Sequence, residues 1–395
     1  MVKTTAAAVV GTDAVAEAMR QIEPDVVAAY PITPQTAIVE TFSQMVADGR
    51  VVTEMVNVES EHSAMSASIG AASGGSRAMT CTSSQGLALM WEMLYIASGL
   101  RLPIVMPNVN RALSAPINIH CDHSDSMGAR DSSWIQLYSE NSQEAYENTL
   151  QAVRIAEHPD VQLPVMVNLD GFITSHTTER VDFFEDAPVK EFIGELDPAY
   201  TLLDPQQPIS VGNFDALYGY YYEFKRAQEE AMKNALRAVK EVGQEFGEKF
   251  GRPYGYFETY YLEDAEMVFI AMNSGAGTAR AAIEELRKQG IKAGLLKLRL
   301  FRPFPVQELI ETLSSVPVIG VLDRALTFSG GPGGPVWQEL RSAFYDAEPK
   351  PQILSYIYGL GGRDFNPQQL IEAARDVAAG KLHQGIRYLG LKEES

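Results

Sequence analysis

Short apolar runs alternate with longer helical segments along the first half of the chain, and this rhythm restricts the fold more than any other feature. The spacing predicts a helix from Ala14 to Ile22 with Thr12 or Asp13 as its cap, a strand at Val26 to Ala29, and a helix from about Thr36 to Ala47. A strand at Val56 to Val58 and a helix of small residues, Ser63 to Ala72, come next. Ala78 to Thr82 reads as a strand, Leu87 to Ser98 as a helix, Pro103 to Pro107 as a strand, Asn108 to Ser132 as a polar loop, and Pro164 to Leu169 as a further strand. Alternation of this kind argues a parallel α/β sheet.

Between about Val181 and Pro208 the pattern is lost, and the stretch reads as a linker or an arm over a neighbour. A long helix is expected from about Phe214 to Phe250. Phe224, Ala231, Ala235, Val239, Val242, Phe246 and Phe250 form one apolar stripe, which suits packing on its own domain better than a coiled coil. A second α/β unit begins near Ala265. Strands are expected at Val268 to Met272, Gly294 to Leu298 and Val318 to Leu322. Helices are expected at Thr278 to Gln289, at Val306 to Leu313 and from near Val336. The division expected is a first domain over 1–230, with a linker or arm at about 181–250, and a second, smaller domain with a tail over 255–395.

The chain has 395 residues, 46% of them hydrophobic, enough to bury a large core. Lys and Arg number 32 against 51 Asp and Glu, a net charge of −19, which disfavours nucleic acid and anionic membrane as partners. The two cysteines, Cys81 and Cys121, form no CxxC, so no iron–sulfur cluster or structural zinc held by thiolates is expected, and no metal site. A reducing cytoplasm fits best. No apolar run is long enough to span a bilayer. The run Ala6 to Val10 after Met1-Val2-Lys3 stops at Gly11 and reads as entry into the fold.

Several strand ends carry chemistry. Tyr30-Pro31-Ile32-Thr33-Pro34-Gln35-Thr36 is a stiff turn presenting a hydroxyl where open sheets bind ligands; helix capping by Thr33 or Thr36 is the plain alternative. Glu59 and Glu61 flank Ser60 just after a strand, placed either for a helix-start interaction or, half-buried, for acid–base work. Ser83-Ser84-Gln85-Gly86 opens a helix whose N–H groups suit a polar ligand, with no GxSxG or triad beside it. Asn110-Arg111 closes a strand, and the Arg111 fork suits a carboxylate or phosphate; a surface salt bridge is the alternative. Gly275-Ala276-Gly277 lacks the rest of a dinucleotide fingerprint, so tight packing explains it better. His120-Cys121-Asp122-His123 lacks a second ligand group, so loop hydrogen bonding is the simpler reading.

Together these segments resemble the alpha subunit of multi-subunit pyruvate:ferredoxin oxidoreductases (pyruvate synthases), within the 2-oxoacid:ferredoxin oxidoreductase family. The matching motifs are YPITPQT from Tyr30, VESEHSA from Val58, TSSQGLALM from Thr82, NRALSAPINI from Asn110 and DHSDSMGARDSSWIQ from Asp122. LRLFRPFP from Leu298 and GLGGRD from Gly359 extend the match over nearly the whole chain. The resemblance implies a thiamine-pyrimidine-type parallel-sheet domain, then a linker with a long helix, then a transketolase-C-terminal-like domain.

The resemblance also implies a thiamine diphosphate site shared with a beta subunit. This chain would receive the aminopyrimidine. No GDG occurs here, so the diphosphate and magnesium half would lie on the beta subunit, and iron–sulfur clusters on partner chains such as a gamma and a ferredoxin-like delta subunit. The implied reaction joins pyruvate and coenzyme A to give acetyl-CoA and CO2 while reducing ferredoxin. Glu61 aligns with the family glutamate beside the pyrimidine ring, with Glu59 the weaker choice. Pro31, Ile32, Ser84 and Gln85 are the further cofactor contacts expected. Thr33 and Arg111 match residues that hold the substrate carboxylate, and Asn118 and Asp125 lie in the matching loop as secondary substrate contacts. Branched-chain 2-oxo acids or 2-oxoglutarate are alternative substrates, and a scaffold subunit without chemistry is the alternative role.

Overall fold

The computed structural model describes residues 2–198 and 200–392. Met1, Ala199 and residues 393–395 fall in the expected entry segment, linker and tail and lie outside the described residues. Two sheets organise the chain. The first has seven strands in the order Leu300–Arg302, Ile135–Ser139, Val165–Asp170, Val105–Asn110, Ala78–Met79, Val26–Ala29 and Glu54–Asn57. All neighbours are parallel except Leu300–Arg302, which runs antiparallel to Ile135–Ser139. Val105–Asn110 and Val165–Asp170 are buried along their whole length, as expected of parallel strands covered on both faces.

Helix Thr36–Ala47 matches the expected span. The small-residue helix runs Glu61–Ser73, begun by Ser60, whose hydroxyl accepts from Ser63 N at 3.2 Å. The expected helix after Ser83 is two consecutive helices, Ser84–Leu89 and Trp91–Gly99. Helix Ser142–Glu157 was missed. It is buried almost all round, and Glu144, Glu147, Asn148 and Gln151 among its buried residues break the apolar period that would have marked it. Their partners are distant in sequence: Glu147 pairs with Arg252 at 2.8 Å, and Arg299 donates to Asn148 and Gln151.

The stretch after Val181 is more ordered than its composition suggests. Thr178–Phe184 pairs antiparallel with Thr4–Val10, and helix Asp186–Ile193 follows. The long helix starts at Tyr221, later than expected, and ends at Phe250 before Gly251. Ala231, Ala235, Val239, Val242, Phe246 and Phe250 enter the core of the first unit, but Phe224 is 53% exposed and leaves the stripe. The segment before the helix exposes Phe214, Leu217, Tyr218 and Tyr220.

The second sheet has six strands in the order Ile386–Tyr388, Gln352–Ile357, Val318–Asp323, Met267–Ala271, Ala293–Leu298 and Phe257–Tyr260, parallel except for the last. Helices Gly275–Lys288, Val306–Leu313, Pro335–Ala343 and Pro367–Ala378 cover it. Buried charge stitches the two units. Lys297 of the second sheet meets Glu144, Glu140 (3.1 Å) and Glu258 (3.0 Å), and Arg280 meets Glu140 at 2.7 Å. Among the described residues no helix is long and apolar enough to cross a membrane.

Candidate active site

The carboxyl ends of four first-sheet strands gather the polar residues that the sequence singles out. After Val26–Ala29 the chain turns through Pro31 to Gln35, with a cis Thr33–Pro34 peptide. Gln35 is buried and fixes this turn: its Oε1 accepts from Ile32 N at 3.3 Å and its Nε2 donates to Cys81 Sγ at 2.9 Å. Pro31 and Thr33 are exposed, and Ile32 is half-buried. Arg111, directly after Val105–Asn110, donates from Nη1 to the Thr33 carbonyl at 2.8 Å and from Nε to the Asn118 carbonyl at 3.3 Å. Arg111 is only 7% exposed, and burial lowers its pKa while the nearby Asp125 charge opposes that shift. The structure thus brings Thr33, Arg111 and Asn118 together.

Asp125 is not on the open face with them. It is fully buried and accepts from Ser84 N (3.0 Å), Arg111 N (3.1 Å), Asn110 Nδ2 (2.9 Å) and Ser126 N (2.7 Å). Burial raises its pKa, and those donors pull it down. Its carboxylate is consumed in fixing the backbones of Ser84 and Arg111, which corrects the expectation of a substrate contact. Asn118 is likewise engaged: its Nδ2 donates to the Gly361 carbonyl at 2.9 Å and its Oδ1 accepts from His120 N at 2.8 Å. Its side chain ties the loop to the second unit rather than standing free for substrate.

Ser84 is held at φ +49° with its hydroxyl directed at the Ala112 carbonyl (2.7 Å) and Gln85 Oε1 (2.6 Å). Gln85 is half-buried. Two residues along, Gly86 packs against Glu61. A Cβ at Gly86 would lie 2.7 Å from Glu61 Oε1 and 2.5 Å from Thr82 Oγ1, so only glycine fits. Glu61 is 6% exposed, and its side chain makes no hydrogen bond among the described residues. The buried Thr82 hydroxyl also lacks a partner. Glu59 behaves differently. It is exposed, accepts from Ser63 Oγ, and that bond lowers its pKa, as the helix-start reading allows. It lies outside the buried group, on the exposed side of the helix start.

The HCDH run and the GAG turn meet at the seam between the units. Cys121, His123 and Asp170 bring ligand-type atoms within 4.8 Å of one another. The cation there is Arg324, whose Nη1 stands 2.8 Å from Asp170 Oδ2, so the donor set does not suit a metal ion as well. Burial would raise the pKa of Asp170, but Arg324, His123 and Ser274 together hold it well below the usual carboxylate range. Ser274 N (3.2 Å) and its hydroxyl also bind Asp170, so the anion at the start of helix Gly275–Lys288 is the protein's own carboxylate rather than a nucleotide phosphate. At Gly275 a Cβ would lie 2.1 Å from the Tyr358 hydroxyl, which confirms the tight-packing explanation of that glycine.

Thr82, Asp170, Asn273 and Arg324 were not singled out from sequence. The available signal was position, since each follows or closes a parallel strand at its carboxyl end. A cavity of about 600 Å³ lined by Trp337, Arg341, His383 and neighbours includes none of these residues.

Comparisons with known proteins bear on the family and the fold. Residues 17–244 match the family described as "Pyruvate flavodoxin/ferredoxin oxidoreductase, thiamine diP-bdg", and residues 265–370 match "Pyruvate:ferredoxin oxidoreductase core domain II". The chain is 57% identical to pyruvate synthase subunit PorA of Thermotoga maritima, over 98% of each chain. It is 46% identical to ketoisovalerate oxidoreductase subunit VorA of Pyrococcus horikoshii, over 97% of each. Among solved structures, 2-oxoglutarate:ferredoxin oxidoreductase from Magnetococcus marinus superposes with a TM-score of 0.70 at 20% identity, over 95% of this chain and 65% of that one. A split-gene transketolase gives a TM-score of 0.52 at 11% identity, over 95% and 97%. These two likenesses concern the fold.

Proposed function

This chain belongs to the pyruvate:ferredoxin oxidoreductase family, and from that membership we propose that it is the alpha subunit of a thiamine diphosphate-dependent pyruvate synthase. The reaction is the oxidative decarboxylation of pyruvate with coenzyme A to acetyl-CoA and CO2, with ferredoxin as electron acceptor. The observation that carries the proposal is Glu61: a buried carboxylate that makes no hydrogen bond among the described residues, beside an unpartnered Thr82 hydroxyl and a glycine whose missing Cβ lets both oxygens approach. Those features fit a polar heteroaromatic ring supplied from outside the chain.

When bound, thiamine diphosphate supplies the nucleophilic carbon and the electron sink for decarboxylation. The chain's own part is to bind and orient. Glu61 holds a proton at the pyrimidine ring nitrogen. Gly86 and Thr82 shape the slot for the ring, with Pro31, Ile32, Ser84 and Gln85 around it. Arg111 grips the substrate carboxylate with the N–H groups it does not spend on Thr33 and Asn118, and the Thr33 hydroxyl adds a donor. Buried Asp125 fixes the two backbones on which Arg111 and Ser84 stand.

The diphosphate and magnesium site belongs to a beta subunit, and the iron–sulfur clusters to gamma and delta companions, in a cytoplasmic complex. Pyruvate is the favoured substrate. The VorA relatives keep a branched-chain 2-oxo acid as the second reading, which a substrate panel on the purified complex separates. The test of the site is Glu61→Gln in the assembled complex. Loss of about 10²- to 10⁴-fold in pyruvate oxidation with assembly intact is expected, and normal turnover overturns the role.

A further inference from the structure

Asn273 of the second unit reaches both polar clusters at once. It is 1% exposed and held at φ +48°, a backbone state that asparagine tolerates better than most residues. Its Nδ2 donates to Asp170 Oδ1 at 2.9 Å and to Asn110 Oδ1 at 3.2 Å. Asn110 in turn donates to Asp125 Oδ1 at 2.9 Å, and Asp125 Oδ2 accepts from Arg111 N at 3.1 Å. A continuous row of buried hydrogen bonds therefore runs from the Asp170–Arg324 pair, through Asn273, to the backbone of Arg111.

We propose that Asn273 is a positioning residue for 2-oxo acid binding, through which the second unit sets the placement of Arg111. The inference rests on the proposed role of Arg111. The amide is suited to the task because one NH2 group serves two acceptors in different segments, Asn110 and Asp170. Its position on the turn Asn273-Ser274-Gly275 is fixed independently by Ser274, which also binds Asp170. With the amide removed, Asn110 Oδ1 loses this donor while its Nδ2 keeps Asp125, Ser126 and Asn168, so Asn110 tilts within those remaining bonds and shifts the Arg111 backbone beside it. Displacing an orienting group in this way weakens substrate capture without touching the cofactor.

The test is Asn273→Gly in the assembled complex, since glycine keeps the positive φ and removes only the amide. The expected result is a rise of about tenfold in the pyruvate KM, with kcat and the thiamine diphosphate affinity within about twofold. In an Arg111→Ala background the same change should add nothing further, because no gripping side chain is left for the shifted backbone to misplace. A KM that does not move, or an increase of equal size in both backgrounds, overturns the inference. If Asn273→Gly does not assemble, Asn273→Ser, which leaves one donor for two acceptors, is read by the same criteria. An unchanged KM in Arg111→Ala itself would instead overturn the reading of the site.

Discussion

Gly86 and Glu61 are in contact across the start of two helices: a Cβ on the glycine would stand 2.7 Å from Glu61 Oε1. A side chain at position 86 would therefore have to push the Glu61 carboxylate aside. Gly86→Ala should displace the Glu61 side chain and weaken thiamine diphosphate binding by about 1–3 kcal/mol, roughly fivefold to 150-fold. Titration of the cofactor into the apo complex measures this, and unaltered affinity would remove the contact from the argument.

Arg111 spends Nε and one Nη1 bond on carbonyls and keeps the rest of its fork. Arg111→Ala should raise the pyruvate KM by about 10- to 100-fold, the worth of a charge-assisted contact of about 1.5–3 kcal/mol. Steady-state kinetics at saturating coenzyme A check it.

Lys297 is nearly buried and meets the carboxylates of Glu140 and Glu144 from the other unit. Lys297→Met leaves those two charges without their shared ammonium. Removing one member of such a group costs about 3–5 kcal/mol. Urea unfolding should show that loss, and the deficit should shrink at acid pH as Glu144, whose burial raises its pKa, takes up a proton.

The pH dependence of stability follows from two buried acids. Burial pushes Asp323 up to about 7, against the N–H groups of Val336 and Trp337 that bind it, and Glu147 likewise to about 7, against Tyr254 and Arg252. Each has a folded pKa above its unfolded value of about 4, so the folded state binds more protons in between. Their stabilising contribution is full below about pH 4 and is lost as pH rises towards 7. Asp170 has the opposite sign, and its contribution is complete above about pH 4 and lost only in strong acid. Melting temperature should therefore decline from pH 5 to 7.5, with a slope of up to about 1.4 kcal/mol per pH unit for each proton. Asp323→Ser, which keeps an oxygen for the helix N–H groups, should flatten part of that decline in a differential scanning series. A slope identical to the parent would show that Asp323 does not titrate there.

Much of the fold was legible because parallel strands and amphipathic helices leave periodic traces. Val26–Ala29, Thr36–Ala47 and Val306–Leu313 are where the apolar spacing puts them. Thr4–Val10 was not legible, because a run of threonine and alanine alternates in no useful way. Helix Ser142–Glu157 was hidden by polar side chains whose partners are far away in sequence. The strand-end rule marked Glu61 and Arg111 as residues of interest. It gives no depth, so it does not separate Asp125, a fully buried acceptor, from Glu59, an exposed one. Asn273 and Asp170 are 103 positions apart, and no local pattern joins them.

The strand Leu300–Arg302 borrows its neighbour from Ile135–Ser139, although the chain on either side of it builds the other sheet. An engineer who cut the gene near residue 255 would produce a front fragment with a bare rim and a back fragment with an orphaned ribbon. Rims of that kind attract foreign strands. Co-expression of the pieces, rather than separate purification, is the sensible design.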